Sequence, residues 1–257
     1  MALDATFDPV LSRVRLSATA IDPATEALFE RSTDGTHWTT VRGGAEVPVS
    51  GSDTASLDDY EFAPGVQNTY RVTGGADVYT DTVTPAQTSV WLKSITRPFL
   101  NRAVDVVDYS EIVRPARNGV FEVIGRSFPV GITDVRSSRR WTLDLHTLTV
   151  ADADVLDLVF ASGDPLYVQV PAGSDIPSGY VVVGDVTRSK WGVRSGRRFF
   201  SLPLTEVAAP GPDVVGSTVT WAALIAEFGT WADVLAEFGT WADVLEHVAS
   251  PDVVIVP

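Results

Sequence analysis

Apolar and polar positions alternate with a period of two through the first third of the chain. "RVRLSATAI" puts Val14, Leu16 and Ala18 on one face, the pattern of a half-buried strand. "ALFERS" and "HWTTVRG" read as strands flanking "TDGT", where Asp34-Gly35 makes a hairpin turn. "DYEF", "TYRVTG" and "DVYTDTVTP" continue the series, with breaks at "APGVQN" and at Gly74-Gly75. Short strands in close succession, with no helical stretch between them, predict a β-sandwich over residues 1–88.

The pattern then changes. In "SVWLKSITRPFLNRAV", residues 89–104, Pro98 blocks a continuous helix, while Trp91, Leu92, Phe99 and Leu100 are too apolar for a free linker. This stretch is expected to be a packed connector. Residues 105–208 predict a second, mainly β domain. "VFEVIGRSFPVGITDV" and "RRWTLDLHTLTV" are long strands or strand pairs, and in the latter Trp141, Leu143 and Leu145 alternate with polar residues. "ADADVLDLVFASG" switches to helical spacing, with Val155, Leu156, Val159 and Phe160 on one face. Asp152 and Asp154 favour its N-terminus and Gly163 follows its end. "DPLYVQVP", "GYVVVGDVTRSKW" and "RRFFSLPLTEV" return to strands. The expected fold is therefore mainly β: two β-sandwich-like domains, then a C-terminal tail of short helices and a terminal strand.

That tail, residues 209–257, contains "TWAALIAEFGTWADVLAEFGTWADVL", one unit stated three times. Thr220, Thr230 and Thr240 suit N-caps, and Gly229 and Gly239 suit the left-handed position after a helix. Each unit predicts a helix of about two turns, too short to be stable alone in water. Trp221, Trp231, Trp241, Phe228 and Phe238 must then be buried on something, either the chain's own second domain or an adjacent subunit. In the second case the tryptophans are interface anchors, and Val253, Val254, Ile255 and Val256 form a strand that can add to a sheet edge.

Charge sharpens this division. The net charge of −14 is uneven: residues 1–88 hold 5 basic and 13 acidic side chains, and the tail holds 7 acidic and no basic ones. The middle holds 14 of the 19 basic residues, many in "RSKWGVRSGRR", where Trp191, Arg194, Arg197 and Arg198 form a candidate interface patch. The acidic balance disfavours a nucleic-acid partner. No apolar stretch is long enough for a membrane span, and the N-terminal residues do not read as a signal peptide. The absence of cysteine excludes thiolate chemistry and fits assembly in a reducing cytoplasm.

Candidate chemistry is sparse. His37, His146 and His247 lie in different segments and share no metal-binding spacing. "GRSFPVG" is not a nucleophile elbow, and "GVRSG" lacks a phosphate-loop lysine. No catalytic residue, metal or cofactor is expected, and the chain reads as non-enzymatic.

Two resemblances add to this reading. "FAPGVQNTYRV" resembles a fibronectin type III domain, with a Pro-Gly turn followed by Tyr70 opening a strand. The likeness implies a tyrosine corner, in which the Tyr70 hydroxyl bonds back to the chain. Ala18 stands where that family has a tryptophan, so Trp38 is expected to fill the core instead. Over nearly the whole chain, the ordered set "VWLKSITRPFLNR", "GRSFPVGITDVRSSRRWTL", "GDPLYVQVP", "RRFFSLPLTEVAAP" and the serial "TWADVL" is similar to minor tail proteins of long-tailed actinobacteriophages. The resemblance implies a virion protein of the tail tip or baseplate. Its implied partners are itself, as a ring or trimer, and other tail proteins. The alternative is a carbohydrate-binding module that recognises a host cell-wall glycan.

Overall fold

The computed structural model describes residues 2–21, 26–49, 53–75, 77–192, 194–212 and 230–238. It is mainly β, as the alternation predicts. In the first domain, β1 (Ala2–Asp8), β2 (Arg13–Thr19) and β6 (Thr54–Asp59) form one antiparallel sheet. The second sheet runs β4 (Thr39–Thr40), β3 (Glu26–Ser32), β7 (Asn68–Gly74), β8 (Asp77–Val83), with β5 (Val47–Pro48) also on β3. Val14, Leu16 and Ala18 are fully buried between the sheets with Phe29, Phe62 and Val72. This is a two-sheet antiparallel packing, as the alternation predicts, with one correction to the reading of its core. Trp38 is only half-buried and lies under the Arg71 guanidinium, 4.1 Å from its ring centre. The core is filled by Phe29 and Phe62 instead.

Tyr70 sits in that core with its hydroxyl donating to Asp59 Oδ2 at 2.8 Å. The corner therefore closes on a buried carboxylate. Arg31 Nη1 donates to the same oxygen at 2.6 Å, and the Glu61 amide donates to Oδ1 at 2.8 Å. Asp59 is thus buried but fully paired, which is the condition for tolerating a carboxylate there. Burial and the neighbouring Asp59 raise the Tyr70 phenol far above its ordinary value.

The second domain departs from the expected sandwich. Strands β9 (Val90–Ser94), β10 (Arg102–Tyr109), β13 (Arg140–Thr147), β14 (Leu166–Gln169), β15 (Gly179–Val183) and β17 (Arg198–Glu206) pair in the order β13-β10-β9-β14-β15-β17, and β17 pairs again with β13. The sheet closes on itself as a six-stranded antiparallel barrel, with β16 (Thr187–Lys190) appended to β17. Trp141, Leu143 and Leu145 point inward with Phe200, Leu202 and Leu204. The segment expected as a connector, 89–104, is part of this barrel: Val90–Ser94 is an interior strand and Pro98–Leu100 a 3-10 turn. The helix α1 (Val150–Ala161) buries Ala153, Leu156 and Val159 against the barrel, while Val155 is exposed. Its cap is Thr149, whose hydroxyl accepts from the Asp152 amide at 3.1 Å. Gly163 takes φ +68 just past its end.

Replacing Tyr70 with Phe removes the hydroxyl and leaves Asp59 short of a donor. A hydrogen bond to a buried charge is worth about 1.5–3 kcal/mol, so Tyr70→Phe is expected to lower unfolding free energy by about 2 kcal/mol in urea denaturation. A change below about 0.5 kcal/mol would show that the corner contributes nothing.

Candidate interaction surface

The two domains meet through polar groups. Lys93, in the middle of β9, is 2% exposed. Its Nζ donates to the Ser12 carbonyl at 2.5 Å and the Tyr60 carbonyl at 2.7 Å, both in the first domain, and lies 4.6 Å from the Phe62 ring centre. Gln169 Nε2 donates to the Phe62 carbonyl at 2.7 Å, its Oε1 accepts from the Ser12 hydroxyl at 3.4 Å, and its main-chain carbonyl accepts from Gln87 Nε2 at 3.3 Å. Glu61 accepts from Arg42 Nε at 2.6 Å and from the Tyr180 hydroxyl at 2.9 Å, tying the first domain to β15. Gly65, at φ +71, comes so near Ala172 that a Cβ there would lie 2.3 Å from the alanine's own. Arg42 Nη1 also donates to the Gly211 carbonyl at 2.5 Å, and the Gly43 amide donates to the Pro212 carbonyl at 3.1 Å. The chain leaving the barrel is thereby held on the first domain.

Beside Lys93 the joint is apolar and unfilled. Val10 and Leu11 from the β1–β2 turn, Trp91 from β9, and Pro98 and Phe99 from the 3-10 turn wall a hollow of about 570 Å³. Trp91 is buried, as its composition predicts, whereas Val10, Leu11 and Phe99 are exposed at the rim.

A second exposed apolar stretch lies between β10 and β13. Residues 110–139 leave the barrel as an arm carrying a two-stranded ribbon, β11 (Gly119–Phe121) with β12 (Val130–Ile132), paired Gly119↔Ile132 to Phe121↔Val130. Val120, Phe121 and Ile132 are exposed on it. At its tip Ile124 is fully exposed and Phe128 is 83% exposed. An isolated two-stranded ribbon is marginal in water, and exposed apolar side chains gathered on one such ribbon make it a candidate interaction surface. Sequence reading missed the tip because "VFEVIGRSFPVGITDV" alternates like barrel strands. Pro129 and Gly131, which shorten a ladder, were the available signal.

The residues expected as an interface patch lie around the β16–β17 turn. Trp191 is 71% exposed, with its ring 5.7 Å from that of Phe199. Arg194 and Arg197 are exposed, whereas Arg198 folds onto its own turn, donating to the Ser195 carbonyl at 2.7 Å and the Arg197 carbonyl at 2.9 Å. Arg188, in the same basic cluster, is engaged within the chain by Asp154 and Asp157 of α1.

In the tail, α2 (Trp231–Phe238) forms as the repeat predicts. Thr230 caps it: its hydroxyl donates to Asp233 Oδ2 at 2.5 Å and accepts from the Asp233 amide at 3.3 Å. Val234 is buried, while Trp231 is 39% exposed. Trp221, Phe228, Trp241 and Val253, Val254, Ile255 and Val256 lie outside the described residues, as does the expected terminal strand.

No protein-family model matches the chain, and no curated protein matches it. Among the described residues, no His, Cys, Asp or Glu cluster could hold a metal, and no helix is long and apolar enough to cross a membrane.

Burial lowers the Lys93 pKa to about 7 against the opposing pull of Asp59 and Glu61, with Arg31 adding to the decrease. The unfolded chain keeps that proton up to the ordinary lysine value of about 10.4, so it binds more protons than the folded chain between the two values. Stability from this group therefore rises as pH climbs from about 7 and falls again as pH drops back through it. Compared with Lys93→Met across pH 6 to 10 in denaturant titrations, the wild type is expected to gain by roughly 5 kcal/mol at most. Parallel pH profiles for the two proteins would contradict the assignment.

Proposed function

We propose that the chain is a non-enzymatic structural subunit of a phage tail tip or baseplate, assembling with itself as a ring or trimer and with other tail proteins. On this reading it is assembled in the host cytoplasm and resides in the virion tail. The observation that carries the reading is the apolar arm at residues 110–139, a surface whose exposure is costly unless another chain covers it. The ordered sequence resemblance to minor tail proteins supports the same role, as do the serial tail units, of which α2 is helical. Repeated weak links raise total affinity because each docked unit holds the next at high effective concentration.

Trp191 favours a second reading. An exposed tryptophan ring beside Phe199 is a surface on which a sugar ring can stack, so recognition of a host cell-wall glycan is the alternative.

Purified tail particles separate the two. Gold labelling with an antibody to this chain is expected to mark the distal tail in many symmetric copies. Sparse peripheral copies, with cell-wall binding abolished by Trp191→Ala, would favour the glycan reading, and absence from the particles would sink both. Truncation after Ala209 is expected to reduce incorporation. Wild-type occupancy of the truncated chain would assign the tail to contacts within its own subunit.

A further inference from the structure

The arm and the hollow are both apolar, both exposed, and on the same chain. The tip residues Ile124 and Phe128 are open to solvent, so the arm does not fill its own chain's hollow. The two features also lie at opposite ends of one strand. Arg102, which begins β10, lines the hollow, and the arm departs after Tyr109, where β10 ends. At about 3.3 Å per residue the strand separates them by roughly 25 Å. Charge favours their meeting between copies: residues 110–139 carry 5 basic and 3 acidic side chains, whereas the first domain, which supplies Val10, Leu11 and Tyr60 to the hollow, carries 5 basic and 13 acidic.

The geometry points to a head-to-tail contact in which the arm tip, Ile124 to Phe128, seats in the Val10–Leu11–Phe99 hollow of a second copy of this chain. A hollow of about 570 Å³ falls in the range that takes a small cluster of side chains. The contact is heterologous, because each copy offers an arm to one neighbour and a hollow to another. Such contacts close into rings when the rotation between copies permits, and otherwise run on as filaments. Bound in this way, the exposed apolar side chains of the ribbon tip are covered by the hollow's wall, whose own charged residue is Arg102, while Asp8, which accepts from the Val10 and Leu11 amides, stands at the rim within reach of a basic tip. The inference rests on the self-assembly part of the reading above and on nothing about virions.

The test uses the purified full-length chain and two double variants at exposed positions, so that neither disturbs a core. Ile124→Glu with Phe128→Glu blocks the arm, and Val10→Glu with Phe99→Glu blocks the hollow. Matching thermal melts confirm that each variant is folded. In sedimentation velocity over a concentration series, the wild type is expected to form oligomers. Each variant alone is expected to associate about thirty-fold more weakly or worse, the loss that follows from disrupting a hot spot. A one-to-one mixture of the two variants retains one intact arm and one intact hollow, so it should yield dimers that grow no further. A monomeric wild type, or either variant assembling like the wild type, overturns the proposal. So does a mixture that stays monomeric, because it holds an intact arm and an intact hollow that fail to pair. Capped dimers from a chain that is missing from tail particles would keep this inference and discard the virion reading. Presence in the particles without mixed dimers would do the reverse.

Discussion

Strand β13 is paired along both of its edges, and the second domain is built on that fact. Its register with β17 runs unbroken from Arg140↔Thr205 to Thr147↔Arg198, while its other edge takes β10. Closing the sheet here buries Trp141, Leu143 and Leu145 inside a barrel and removes the exposed edges that an open sheet would present. The two excursions of the domain both hang from this strand. The arm is the connection that enters it from β10, and α1 lies on the connection that leaves it toward β14. An apolar ribbon of marginal intrinsic stability is thus rooted at the best-braced part of the fold. At a free edge of the barrel sheet, β16 carries Arg188 and Lys190, charges that discourage pairing with another strand.

The joint between the domains follows a different logic. It is held by a buried ammonium, two glutamines and a serine in place of an apolar seam. Polar groups taken out of water add little net stability, but each must find its own partner, so they admit very few relative orientations. Lys93 reaches two carbonyls on separate stretches of the first domain, and Gly65 admits no Cβ at its closest approach to the barrel. The hollow is a by-product of this arrangement. The polar ties fix the backbones at its rear, and the apolar side chains in front are left without a filling.

Period-two alternation made β2 and β13 legible in the sequence, and Tyr70 was legible from the turn that precedes it. Strand β9 was not, because it does not alternate. All five of its residues are buried, with Leu92 in the barrel core and Lys93 against the first domain. A strand covered on both faces loses the pattern by which strands are read. Barrel closure was hidden for another reason: it depends on β13 meeting β17, a pairing between distant segments that no local window contains. Residues 89–104 therefore read as a connector. Trp38 was placed in the core by analogy, while Asp152 stands in the first turn of α1 as read, beside the Thr149 cap that was not read. Of the candidate interface, Trp191 is exposed and Arg198 is turned onto its own hairpin. The arm tip and the hollow were obscured, the first by its strand-like alternation and the second because its walls come from three separate stretches of chain.

The hold of Arg42 and Gly43 on Pro210, Gly211 and Pro212 has a mechanical consequence. Strand β17 ends at Glu206, and the chain then crosses to the first domain before continuing to its C-terminal repeats. Tension applied to those repeats does not reach the barrel first. It is taken up as shear across the hydrogen bonds at Arg42 and Gly43, and passes through Glu61 and Tyr180 into the joint. The first domain thereby acts as a strain relief, like the clamp on a cable, and the barrel strands come under load only after that clamp has slipped.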